Sequence, residues 1–185
     1  LANVRGNFFI IINKWLTKKL SEDDYNELIS TMRPPVVRVL SQGESWSWCP
    51  LEYLDEVYDG ITAYMKETDA VLGELGKALA EGDIGSSPKT RLALIPIVRV
   101  MARIPYLWSR LKDSGDFKTL SVDEKAKQAV LALSGYDGGK RHCAVIRTWL
   151  EKMCELLSGM NVTVKERSCR WEQGGDACYW EIGWE

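Results

Sequence analysis

The sequence lacks most of what marks a catalytic or nucleic-acid-binding chain. It contains a single histidine, His142, so arrangements that need a positioned imidazole have almost no material to draw on. No Gly-x-Ser-x-Gly element is present, which removes the commonest strand-to-helix nucleophile turn. Neither sign of charge dominates: 24 Lys and Arg stand against 26 Asp and Glu, a formal net charge of −2. A dedicated nucleic-acid binder would carry a basic field that this chain does not have. Long apolar runs are missing as well. Phe8 to Ile12 is too short for a signal-peptide core or a membrane span. The richer stretch 92–111 is interrupted by Arg99, Arg103 and Arg110 and contains Pro96 and Pro105, so it predicts a buried or amphipathic helix with a kink rather than a span.

Tryptophan is abundant, with eight residues at 15, 46, 48, 108, 149, 171, 180 and 184. Large aromatic side chains at this density predict several packing anchors or a lined cavity. The five cysteines are an odd number in a chain of 185 residues. They argue against a secreted disulfide framework and for a reducing, cytoplasmic setting. The length suits one domain, taken here as residues 1–185.

The first two-thirds read as helices. Gly6 to Leu20 closes on Lys18-Lys19, and Ser21-Glu22-Asp23-Asp24 caps a second helix to about Met32 that Pro34-Pro35 ends. Trp46 to Cys49 reads as a loop, followed by a helix from Pro50 to about Lys66 and another over Asp69 to Glu81. Gly82 to Lys89 reads as a loop, and Ser87-Pro88 opens the long apolar helix to about Lys112. After Gly115 the period shortens: Phe117–Val122 and Lys127–Leu133 read as strands, 140–158 as a helix, and 161–170 with 177–184 as a closing hairpin. The expected fold is α+β, with N-terminal helices packed on a small, mainly antiparallel four-stranded sheet in β-β-α-β-β order.

Chemistry is sparse. Gly135 to Lys140 resembles a phosphate loop only in its glycines, because Arg141 stands where Ser or Thr is needed. His142 reads as a helix-terminus histidine without an evident partner. The cysteines say more. A turn centred between Gln173 and Gly174 sets Cys169 opposite Cys178, with Cβ atoms about 4.5–5.5 Å apart. Such a pair can share a zinc ion, form a cross-strand disulfide, or pack as free thiols. Cys143 and Glu166 complete four donors in the order Cys143-x22-Glu166-x2-Cys169-x8-Cys178. Residues 166 and 169 face opposite sides of a regular strand, so convergence requires a bulge.

The run from Cys169 through Gly175-Asp176 and Cys178 to Ile182 resembles the closing hairpin of V4R domains, written C…GD..C with a following aromatic and an Ile or Val. These group with the Bet3-like TRAPP subunits and the haem-nitric-oxide-binding domains. The helix 138–159 and Val162-Thr163-Val164 fit the same pattern. Upstream, Gly6-Asn7-Phe8-Phe9 and the stretch from Ile104 to Arg110 followed by Gly115-Asp116-Phe117 resemble a paralogous group of myxobacterial proteins. V4R sensor domains hold zinc with a helix-start Cys, a Glu-x2-Cys and a hairpin Cys. The resemblance therefore implies Cys143, Glu166, Cys169 and Cys178 as zinc ligands, with a final gap one residue longer here. It does not extend to haem: the haem-binding relatives use an upstream proximal His and a Tyr-x-Ser-x-Arg motif, where this chain has Tyr136-Asp-Gly-Gly-Lys140 and its one histidine follows.

Three functions are compatible with these features. The first is a non-catalytic sensory or binding module with an apolar cavity lined by Phe8, Tyr106, Trp108 and Trp149, taking an aromatic compound or an acyl chain. The second is a structural interaction protein like the TRAPP subunits, dimeric or with a protein partner, using the Trp46-Ser47-Trp48 loop and the 92–111 helix. The third is a pigment-binding or vinyl-reductase accessory role, for which no nicotinamide or flavin fingerprint is present.

Overall fold

The computed structural model describes residues 2–66, 68–85 and 94–185. Helices α1 (Asn7–Lys19), α2 (Glu22–Ser30), α3 (Pro34–Gln42), α4 (Leu51–Met65), α5 (Thr68–Gly85) and α6 (Ile97–Leu111) form the first part, with strands β1 (Asn3–Arg5) and β2 (Trp48–Pro50) pairing antiparallel beside them. Strands β3 (Asp116–Asp123) and β4 (Gln128–Ser134), helix α7 (Gly139–Ser158), strand β5 (Val162–Ser168), the short helix α8 (Arg170–Gln173) and strand β6 (Ala177–Trp184) complete the chain. The larger sheet runs β3-β4-β6-β5, antiparallel throughout. The expected α+β order is thus the observed one. Among the described residues, no helix is long and apolar enough to cross a membrane.

Periodicity explains the helices. Phe8, Ile12 and Leu16 recur every four residues along α1 and are buried, as are Ile97, Val100, Met101, Ile104 and Trp108 along α6. Each supplies one apolar stripe. Helix α7 differs because it buries ten residues, from His142 to Leu157. It lies between helices and sheet, and α5 packs closely along it: a Cβ on Gly76 would meet Thr148 Oγ1 at 2.1 Å and the Val145 carbonyl at 2.4 Å. On the sheet, Leu131 faces Trp180 and Leu133 faces Cys178, all buried. That is the one-sided alternation of a half-covered antiparallel sheet.

Several expectations change at prolines. Pro34-Pro35 ends α2 but also begins α3, where a missing N–H costs nothing in the first turn. Pro96 does not lie inside the apolar helix. It precedes Ile97 as the cap of α6, so only Pro105 is internal. The Ser87-Pro88 start lies outside the described residues. Gly82 to Gly85, expected in a loop, extend α5, and 86–89 are likewise outside. Trp48 and Cys49, expected in a loop, pair with Arg5 and Val4. Finally, the closing hairpin turns through α8, with Gly174 at φ 70° as its left-handed cap, instead of a tight glycine turn.

Candidate functional site

Two groups of polar side chains start from neighbouring residues in the first turn of α7. The first is the thiol cluster. Strand β5 carries Val162, Val164 and Glu166 opposite Trp184, Ile182 and Trp180, which places Glu166 on the core face. The register then shifts between Glu166 and Ser168, supplying the bulge that the sequence required. Ser168 pairs with Tyr179 in the register that sets 169 against 178. Cys143 reaches this point from α7. The Sγ of Cys143 lies 3.3 Å from that of Cys178 and 3.7 Å from that of Cys169, and Cys178 and Cys169 are 3.9 Å apart. With Glu166, the four donor atoms all fall within 4.8 Å of one another.

These separations discriminate between chemistries. A disulfide needs about 2.05 Å between sulfurs, and none is formed. Ligands about 2.3 Å from a tetrahedral ion lie about 3.8 Å from one another, which is the edge length found here. The three cysteines are buried, while Glu166 is the exposed member. Cys143 is pushed up by donating to Cys178 and then by burial, and Cys178 is correspondingly drawn down. Burial raises Glu166 against the thiol hydrogen bonds it receives from Cys169 and Cys143. A cation bound at this point displaces the thiol protons.

The second group is a buried chain of hydrogen bonds that sequence reasoning missed. Lys112, at the end of α6, is only 5% exposed, and its Nζ donates to the Tyr136 hydroxyl at 2.8 Å. The hydroxyl lies 2.8 Å from His142 Nδ1. With the lysine donating to the oxygen, the phenolic O–H donates to Nδ1, so Nε2 carries the imidazole proton. Nε2 approaches Asp55 Oδ1 at 2.7 Å, although the carboxylate sits off the N–H direction and makes no regular hydrogen bond. The Lys112 ammonium position is boxed by rings, 4.4 Å from the centroid of Phe8, 5.0 Å from Tyr136 and 5.2 Å from Trp108. Burial lowers Lys112 to about 7, against the raising effect of Asp83 and Asp55. It lowers His142 to about 4, against the same Asp55.

Three of the four expected cavity residues meet here. Phe8, Trp108 and Trp149, with Lys112 and His142, line a small apolar void of about 20 Å³ between the helices. Tyr106 is a correction: it is 63% exposed and lines a separate open groove of about 450 Å³ with Trp46, Leu107 and Met153. Helical spacing explains the difference, because Ile104 and Trp108 already occupy the inward stripe of α6 and 106 lies across from it. Trp149 is fixed by its Nε1 donating to Asp83 at 2.9 Å, and Asn7 donates to the same carboxylate at 3.0 Å. Burial raises Asp83 to about 6 despite these bonds. A polar cleft of about 750 Å³ opens on the other side, and both Asp55 and Glu166 reach its wall.

Neither a protein-family model nor a curated protein sequence matches the chain. Solved structures do match over nearly its whole length. An H-NOX protein from S. oneidensis in the Fe(II)NO ligation state aligns with a TM-score of 0.74 at 13% identity, covering 98% of this chain and 99% of that one. A substituted, unliganded Fe(II) H-NOX protein from K. algicida gives 0.73 at 11% identity, with 98% and 96% covered. A substituted H-NOX from T. tengcongensis gives 0.71 at 12% identity, with 98% and 97% covered. The chain therefore has the H-NOX fold, which the hairpin resemblance had implied.

The fold family raises haem, and the residues present do not fit it. A void of about 20 Å³ holds one water-sized group. Its one imidazole has Nδ1 engaged by Tyr136 and Nε2 2.7 Å from Asp55. The thiol cluster, in contrast, has donors of the number, type and spacing that a tetrahedral cation requires.

Proposed function

We propose that the protein is a non-catalytic ligand-binding module of H-NOX fold, with a structural zinc ion held by Cys143, Glu166, Cys169 and Cys178 and a small apolar ligand received beside Phe8, Trp108 and Trp149. One observation carries the reading: three thiols and a carboxylate converge from α7, β5, the segment before α8, and β6 within 4.8 Å. A closed Cys₃Glu set suits a structural site better than a catalytic one, which keeps an open position. Bound there, zinc would supply only cross-linking, clamping the first turn of α7 to the closing hairpin. Lys112, Tyr136 and His142, whose last member adjoins Cys143, then share a fixed helix start. His142, Val145, Ile146 and Trp149 of the same helix line the apolar void, which supports a coupling of ligand occupancy to the hairpin through α7.

Native mass spectrometry of the purified protein, compared with the denatured sample, tests this. The expected result is a mass excess of one zinc, lost in Cys143→Ser. A bare chain mass that zinc addition does not change would overturn the metal assignment. Binding of apolar probes is read separately, through the fluorescence of Trp108 and Trp149.

A second reading has its own observation. Trp46 is 69% exposed and stands with Tyr106 and Leu107 on the rim of the 450 Å³ groove. Exposed aromatics of this kind favour interfaces, as a protein-interaction role or homodimer would use. Light scattering across a concentration series, with Trp46→Ser as control, distinguishes it.

A further inference from the structure

The void beside Phe8 contains a group that a purely apolar ligand would not need. Lys112 presents a primary amine to a pocket otherwise lined mainly by Phe8, Leu79, Trp108, Val145 and Trp149. Among the described residues no carboxylate lies within ion-pair distance of it. Asp83 and Asp55 act on it only through space. Buried ammonium groups are ordinarily paired with an anion. This one instead meets a phenol, at 2.8 Å, and three ring faces.

We propose that Lys112 captures a short aliphatic aldehyde as a reversible imine inside this void. The inference deepens the ligand-binding reading by naming the ligand's reactive group, and it rests on that reading of the cavity. Size supports it. A void of about 20 Å³ holds one water-sized group, too little for a free aromatic compound. Bonding to Nζ brings the carbonyl carbon inside van der Waals contact, so the void restricts the ligand to the shortest aldehydes. The low basicity of Lys112 keeps a reactive lone pair on Nζ near neutral pH.

The flanking groups supply the proton traffic. The Nζ lone pair attacks the carbonyl carbon, a C–N bond forms, and the carbonyl oxygen takes the Tyr136 proton. The nitrogen returns a proton to the Tyr136 oxygen. A second nitrogen proton and the hydroxyl then leave as water, and a C=N bond remains. Aldehyde plus amine gives imine plus water, with no oxidant or reductant consumed. His142 Nδ1, 2.8 Å from the hydroxyl, orients Tyr136, and Asp55 connects the imidazole to the outer cleft. Tyr136 touches the reacting Nζ; His142 and Asp55 act through it as positioning residues.

The test is reductive trapping of the intact protein at pH 7 with limiting acetaldehyde and cyanoborohydride, followed by peptide mapping. Lys112 should gain an ethyl group at least about tenfold faster than the exposed Lys18, Lys118 and Lys125. Tyr136→Phe, checked for folding by near-ultraviolet circular dichroism, should slow Lys112 about tenfold and leave the exposed lysines unchanged. Labelling confined to exposed lysines would overturn the proposal. If an apolar probe without a carbonyl still quenched Trp108 and Trp149 in that case, the cavity reading would stand without it. If no probe altered their fluorescence, both would fall.

Discussion

His142 and Cys143 are neighbours in sequence, yet they enter different chemistry. Cys143 turns to the sheet and meets two thiols and a carboxylate from the hairpin. His142 turns to the helices and meets Tyr136 and Asp55. Successive helical residues diverge by about 100°, so one turn of α7 can serve two layers. The thiol cluster draws on β5 and β6 within 35 residues of Cys143. The polar chain draws on the end of α6, the segment before α7, and α4, with Asp55 far upstream. A site assembled from one hairpin is built for fixed geometry. A site spanning separate helices depends on how those helices pack.

The largest effect is expected at the hairpin. Cys178→Ser should abolish stoichiometric zinc and, by opening a structural metal site, lower the melting temperature by about 10 °C. Scanning calorimetry before and after chelation of the parent protein should give a similar drop, and equal melting temperatures would sink the clamp.

The polar chain should reveal itself in pH dependence. Lys112 falls from 10.5 to about 7 in the folded protein, so between these values the unfolded chain binds the extra proton and stability climbs with pH. Lys112→Met should remove that climb, of the order of 3 kcal/mol between pH 7 and 10. At lower pH two groups oppose one another. His142, lowered from 6.5 to about 4, loses stability as pH falls through that window. Asp83, raised from 3.8 to about 6, regains it over nearly the same window. Urea midpoints should therefore be nearly flat from pH 4 to 6 and rise above 7.

Gly76→Ala probes what the two regions share. The added Cβ collides with the α7 backbone at Val145 and with Thr148, costing about 1–3 kcal/mol. Because α7 must shift, zinc stoichiometry and Lys112 trapping should decline together. Independent responses would show that the helix does not couple them. The mildest change is Asp55→Asn, which removes a partly exposed carboxylate. It should cost less than about 1 kcal/mol by denaturant titration and leave zinc content untouched.

Much of the hairpin was legible before any coordinates. The cysteine spacing set 169 against 178, and the facing of 166 and 169 demanded an irregularity that lies between Glu166 and Ser168. What the spacing missed was α8, because four helical residues and a glycine turn occupy similar sequence. Tyr106 was misplaced because an apolar helix with an uncertain start has an uncertain inward face. Once Pro96 is seen to begin α6, the stripe through Ile97, Val100, Ile104 and Trp108 leaves Tyr106 outside. Lys112 gave no signal. A lysine at the end of an amphipathic helix usually faces water and favours the helix C-terminus.

Local periodicity determined that this chain would form helices followed by β-β-α-β-β, and cysteine spacing determined which donors could meet, since both depend on contacts within or between adjacent elements. Only the tertiary structure decided that Lys112 is buried, that Asp55 approaches His142, and that the space beside Phe8 is nearly filled. Those outcomes depend on the packing of α1, α4, α5 and α6 against α7. A pattern of apolar residues states that a helix face is inward, while the side chains of its neighbours determine how much room remains there.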